Sequence, residues 1–228
     1  MKVTPEEILS EIRSLSDPEA VQGMARFGIN PDNTLGVSIP NLLRIAKKTG
    51  KDHDLAQELW ESGIHEARIL AAFIDIPKLV TEARMEDWVK DFDSWDVCDQ
   101  VCIKLFNKTA YAYDKAIEWS GRDEVFVKRA GFALMATLAV HDKKAADQVF
   151  IRFLQIINDK ADDNRNFVKK AINWALRQIG KRNPDLNRAA ISTAQDIQSR
   201  GSKAGKWIAA DALKELTGDK VREKLGLI

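Results

Sequence analysis

Three stretches of this chain follow one pattern: HEARILAAFID (65–75), VKRAGFALMATLA (127–139) and VKKAINWALRQIG (168–180). Each opens on polar or basic residues, passes a small residue and runs into a long apolar stripe. The second is the most apolar, and its alanine content favours a buried helix over a strand. Such a helix buries its stripe only by stacking on neighbours of the same kind. The three starts are irregularly spaced, so any repeat is degenerate.

The rest of the chain reads the same way. Thr4-Pro5-Glu6-Glu7 is a capped helix start, with Thr4 as N-cap, Pro5 at N1 and Glu7 at N3. Asp17-Pro18-Glu19 repeats the signal, and Asn30-Pro31-Asp32-Asn33 with Gly36 marks the first real loop. Ser38 is placed to cap a helix that ends at Gly50. Further helices are expected over about 52–61, 64–76, 82–92, 95–107, 110–120, 123–140, 142–157, 163–180, 185–199, 203–216 and 218–226. The joins are short and polar, and no run of strands alternates. The expected fold is all-α: a HEAT-like helical repeat superhelix, an alpha-alpha solenoid, with a concave basic face, forming a single domain over 1–228. A compact helical bundle satisfies the same periodicity.

A chain of 228 residues, 45% of them hydrophobic, can bury one continuous core. Its net charge of +1 points to no partner, but the distribution does. Residues 1–120 hold 14 Lys/Arg against 21 Asp/Glu, and residues 121–228 hold 21 against 13. A basic half can approach a polyanion while the whole stays near neutral. Cys98 and Cys102 sit i,i+4 in a packing stripe and form no disulfide framework, while His53, His65 and His141 are scattered. Nothing requires a metal or an organic cofactor. No apolar run approaches the ~20 residues that span a bilayer. The expectation is a cytoplasmic monomer with no membrane partner.

The chemistry-bearing residues lie in three helical segments. Trp95 and Asp99 stand one turn apart on one face of FDSWDVCDQVCIKLF, with Asp96 turned away and Asp93 or Ser94 placed to cap. Asp99 is flanked by Val97, Cys98, Val101 and Cys102, so it lies near the apolar side and needs a partner such as Arg129 or Arg177. It reads either as an Asp–Arg staple between helices or as a working carboxylate. Trp95 and Trp174 read either as packing or as indole walls for a cation or a sugar. Trp60, Trp88, Trp119 and Trp207 show no such grouping and are assigned to packing or surface. Lys128, Arg129, Lys169, Lys170, Arg177, Lys181 and Arg182 recur at helix starts and ends, suited to phosphate contacts. SRGSKAGKW (199–207) adds Arg200, Lys203 and Lys206 around glycines. It reads as a phosphate-gripping loop at a helix N-terminus or as a solvated charge run.

These segments resemble the DNA alkylation repair family of AlkD-like, HEAT-like repeat DNA glycosylases. The resemblance rests on SWDVCD (94–99), FVKRAGFAL (126–134) and FVKKAINWALRQIGKRNPD (167–185), with LWESGIHEARILAAFID (59–75) and MARFG (24–28) in support. It implies hydrolysis of the N-glycosidic bond of positively charged N3- and N7-alkylpurines in double-stranded DNA, without flipping the lesion. By the same resemblance Asp99 is the catalytic carboxylate, Trp95 and Trp174 are active-site tryptophans, Arg129 is the arginine beside them and Arg177 contacts DNA. Phe27 stands where the family commonly has a tyrosine, and Ser94 replaces a second tryptophan of some relatives. No lysine stands beside the aspartate as an amine nucleophile, so a monofunctional enzyme is expected. Two other readings stay open: a non-catalytic DNA-binding array, and a protein-binding helical scaffold.

Overall fold

A computed structural model describes residues 3–228. Its regular elements are all helical: α1 (Pro5–Ser14), α2 (Pro18–Arg26), α3 (Ile39–Thr49), α4 (His53–Glu61), α5 (His65–Ile74), α6 (Glu82–Lys90), α7 (Trp95–Lys104), α8 (Ala112–Ser120), α9 (Val125–His141), α10 (Asp147–Lys160), α11 (Asn166–Gly180), α12 (Pro184–Arg200), α13 (Lys203–Leu216) and α14 (Asp219–Lys224). Short 3-10 turns occupy Pro77–Leu79 and Phe106–Lys108, where continuous helix was expected or no element foreseen. The start of α10 falls five residues later than its pattern suggested, because Asp142 caps a turn through Lys144 and Ala145 instead. No helix is long and apolar enough to cross a membrane among the described residues.

Most of the caps expected from the local code form. Thr4 and Glu7 form the reciprocal capping box, and Asp17 accepts from Glu19 and Ala20. Ser38 heads α3 but makes no side-chain cap.

Packing divides the chain into two compact units, one up to Tyr111 and one from Ala112 on. In the first, α5 packs against α3, α4 and α7. Its aromatic core stacks Trp60 on Trp88 at 3.9 Å between ring centroids, with Phe92 and Phe106 alongside. In the second unit, helices alternate between two rows. α8, α10 and α12 contact one another in turn, as do α9, α11 and α13, and each helix also packs on a chain neighbour. This is the layer logic of a helical repeat, in which each stripe is buried by the next unit. α9 is buried on nearly every side from Val127 to Ala139, which explains why its sequence is apolar all round. Gly131 permits this: a Cβ there would lie 2.4 Å from the Ser120 nitrogen of α8.

Candidate active site

In the first unit the start of α7 is built by a strap of chain, 27–37. Ser94 heads α7, yet its hydroxyl does not cap the helix. It accepts instead from the Asn30 N–H at 2.9 Å, and the Asp93 carboxylate takes the Asn30 side-chain amide at 2.8 Å. The strap's other end runs onto the start of α5. Buried Glu66 accepts the backbone N–H groups of Leu35, Gly36 and Val37 at 2.7–3.2 Å. His65 donates its N–H to the Asn33 carbonyl at 3.0 Å, and its imidazole Nε2 meets Asp96 Oδ2 at 2.9 Å. Burial pushes the His65 imidazolium down, but the Asp96 hydrogen bond and charge, with Glu66 and Asp93, outweigh it and raise the pKa above the ordinary 6.5. Asp96 thus turns away from Trp95, as its helical position requires.

The strap delivers Phe27 to α7. The Trp95 indole N–H donates to the Phe27 carbonyl at 3.2 Å, and the Phe27 ring stands 75% exposed. Asp99, half-buried, follows Trp95 one turn along. Phe27, Trp95 and Asp99 are therefore gathered on one unit: an exposed ring, a tethered indole and a carboxylate. Cys98 and Cys102 are both buried and unbridged.

In the second unit, Arg129 on α9 is only 6% exposed and donates to the Phe167 carbonyl at 2.6 Å, tying α9 to the start of α11. Neighbouring Lys128, also buried, pairs with Asp163 at 3.5 Å. Arg165 hydrogen-bonds Asp163 too and, against burial, holds that carboxyl below its usual range. Trp174 is half-buried. The Gln178 amide orientation that satisfies both its ends puts its oxygen 3.2 Å from the Trp174 indole nitrogen and 3.3 Å from Lys181 Nζ.

Several basic residues read as phosphate contacts also have internal partners. Arg177 pairs with Glu215 and, at 3.5 Å, with Asp211, and Lys181 joins the same Glu215 at 2.5 Å. Arg182 donates to the carbonyls of Ala139 and Ala145 at 2.9 and 3.0 Å and lies 4.2 Å over the Phe150 ring. Arg200 donates to the Asn158 carbonyl and side chain near the end of α10. Such placement satisfies carbonyls that a helix end leaves open. Lys170, Lys203 and Lys206 remain exposed on the surface.

The 199–207 segment is largely self-satisfied. Gly201 ends α12, and Ser202 caps α13 by accepting from the Gly205 N–H at 3.0 Å. The Ser202 hydroxyl donates to Asp162, so a carboxylate already stands at this helix start. The sequence also passed over Trp207, which is 40% exposed with Lys169 Nζ 5.2 Å from its ring centroid. A lysine 38 positions away gives no local signal of that pairing.

The family model for the DNA alkylation repair enzyme matches residues 8–216. The chain belongs to the DNA alkylation repair enzyme family. An uncharacterized protein of Listeria innocua serovar 6a, Lin0241, is 22% identical over 200 residues, covering 86% of this chain and 87% of its own. A solved structure representing a new family of proteins related to the HEAT-like repeat DNA glycosylases, with affinity for branched DNA structures, superposes with a TM-score of 0.80 at 20% identity. The match covers 98% of this chain and 97% of that one. The fold is accordingly the all-α, HEAT-like repeat fold of those DNA glycosylase relatives.

Proposed function

We propose that this family member is a monofunctional DNA glycosylase that excises N3- and N7-alkylated purines from duplex DNA, acting as a monomeric single domain in base excision repair. The observation that carries the reading is the Phe27, Trp95 and Asp99 grouping at the start of α7, in a chain matched to the DNA alkylation repair enzyme family over 8–216.

Alkylation at N3 or N7 puts positive charge on the purine and makes it a good leaving group. As the glycosidic bond breaks, its electron pair leaves with the base, which becomes neutral. Positive charge then develops on the deoxyribose. Asp99 stabilises that charge and aligns water for attack at C1′, receiving the proton released when the new C–O bond forms. The indole face of Trp95, one turn from Asp99, favours the same cation. Arg129 supplies positive charge near a phosphate, its orientation set by the Phe167 carbonyl. Lys170, Lys203 and Lys206 supply sequence-independent phosphate contacts. Neutral damaged bases lack the built-in leaving group and are expected to be poor substrates.

Two observations favour a second reading, a DNA-binding protein without excision. Phe27 offers a ring but no hydroxyl, and the solved relative is described by its affinity for branched DNA structures. The deciding experiment is release of free 7-methylguanine from duplex DNA by wild type and by Asp99→Asn. The glycosylase reading expects release by wild type and a loss of about 100-fold or more in the variant, with DNA binding retained. Tight binding with release no faster than the spontaneous rate would establish the second reading instead.

A further inference from the structure

Trp207 is an exposed indole among cations. Trp60, Trp88 and Trp119 are almost wholly buried, whereas Trp207 leaves 40% of its surface to solvent. Two helices build its surroundings. Lys169 reaches from α11 to place its ammonium 5.2 Å from the ring centroid. Lys203, one turn earlier on α13, and Lys206, the preceding residue, are both exposed. No acidic side chain among the described residues pairs with Lys169, Lys203 or Lys206. The acids nearest along α13, Asp211 and Glu215, are neutralised by Arg177 and Lys181, and Asp162 is hydrogen-bonded by Ser202.

An exposed tryptophan with one lysine ammonium against its ring and two exposed lysines close by on its own helix is poorly matched to an apolar partner and well matched to a nucleotide. The ring offers a stacking platform and the ammonium groups reach the adjoining phosphates. In an intact duplex each base face is already covered by its neighbours, so only backbone is offered to such a ring. A nucleotide whose base is unpaired offers both features at once.

We propose that Trp207, with Lys169, Lys203 and Lys206, binds an unpaired nucleotide of DNA, its base stacked on the indole and its phosphates held by the lysines. The inference rests on the reading of the chain as a DNA-binding repair protein and narrows the DNA it prefers to duplexes that carry a single-stranded segment. Excision at Asp99 does not depend on it.

The test uses the full chain and two fluorescein-labelled DNAs, a blunt duplex and the same duplex with a single-stranded tail, with affinities read by anisotropy. Wild type is expected to bind the tailed duplex more tightly. Trp207→Ala should lose about 10-fold on the tailed DNA and less than 2-fold on the blunt one, and Trp207→Phe should recover most of the loss. Thermal melting of each variant checks the fold, and 7-methylguanine release from the blunt duplex should be unchanged. Equal losses on both DNAs, or none on either, would overturn the proposal while leaving the glycosylase reading intact. Failure of wild type to bind either DNA would overturn both.

Discussion

The Trp95 indole N–H is tethered to the main-chain carbonyl of Phe27, 3.2 Å away. The tether joins residues 68 positions apart and uses the backbone, so it survives any change in the residue-27 side chain. Phe27→Tyr is therefore expected to fold normally and to add a hydroxyl at an already exposed ring. If that hydroxyl finds a DNA partner, affinity for duplex DNA rises by about 3- to 10-fold, the worth of one hydrogen bond. Trp95→Phe keeps a ring but loses the tether, and 7-methylguanine release should fall more than DNA affinity does. Anisotropy alongside single-turnover release separates the two effects.

Glu215 restrains two cations, Arg177 and Lys181. Glu215→Gln should free Lys181 for phosphate contact and leave Arg177 held by Asp211 alone, at 3.5 Å. Duplex DNA affinity should rise at low salt, and the dependence of log affinity on log salt should steepen by roughly 1–2 units. Stability should drop by about 1 kcal/mol, because the network is part-exposed. Burial raises the Glu215 pKa, but hydrogen bonds from Lys181 and Arg177 outweigh it and hold the pKa below 4.5. This contribution is present above the unfolded value and lost as pH falls through the folded one. An unchanged salt slope in the variant would show that the two cations do not reach DNA.

Arg182 makes the opposite forecast. Its guanidinium satisfies two carbonyls and covers Phe150. Arg182→Ala should cost roughly 2–3 kcal/mol in denaturant unfolding and leave the salt slope of DNA binding unchanged. A flatter slope without lost stability would return Arg182 to the phosphate contacts.

His65 gives the fold a pH-dependent contact beside the strap. Its folded pKa lies above the ordinary 6.5. The His65–Asp96 contribution is therefore complete below about pH 6.5 and is lost as pH rises through the higher folded value. Melting temperature should decline across that window in wild type, and the decline should flatten in His65→Gln. A wild-type profile that rises there would contradict a charged His65.

Gly36 holds the strap's tightest point, at φ +80 with the Asp17 carbonyl 2.2 Å from where a Cβ would sit. Gly36→Ala is expected to cost about 2 kcal/mol or more. It should disorder the strap, visible as faster amide exchange at Leu35–Val37, and slow the proposed 7-methylguanine release.

The all-helical repeat was legible in the chain because stripe period, caps and short joins are local properties. Thr4, Asp17 and Gly50 performed as their residue types dictate. The pairing of Trp95 and Asp99 on one face was legible too, since helix geometry fixes it. The fate of Ser94 was not: its hydroxyl went to Asn30, 64 positions away, and not to its own helix. The basic residues divide in the same way. Sequence counts lysines and arginines, but burial against carbonyls and the reach of Glu215 decided that Arg177, Lys181, Arg182 and Arg200 have internal partners. Exposure decided that Lys203, Lys206 and Trp207 face solvent. Periodicity reports which face a residue is on, whereas the partner that a charge or ring finds depends on helices brought alongside by folding.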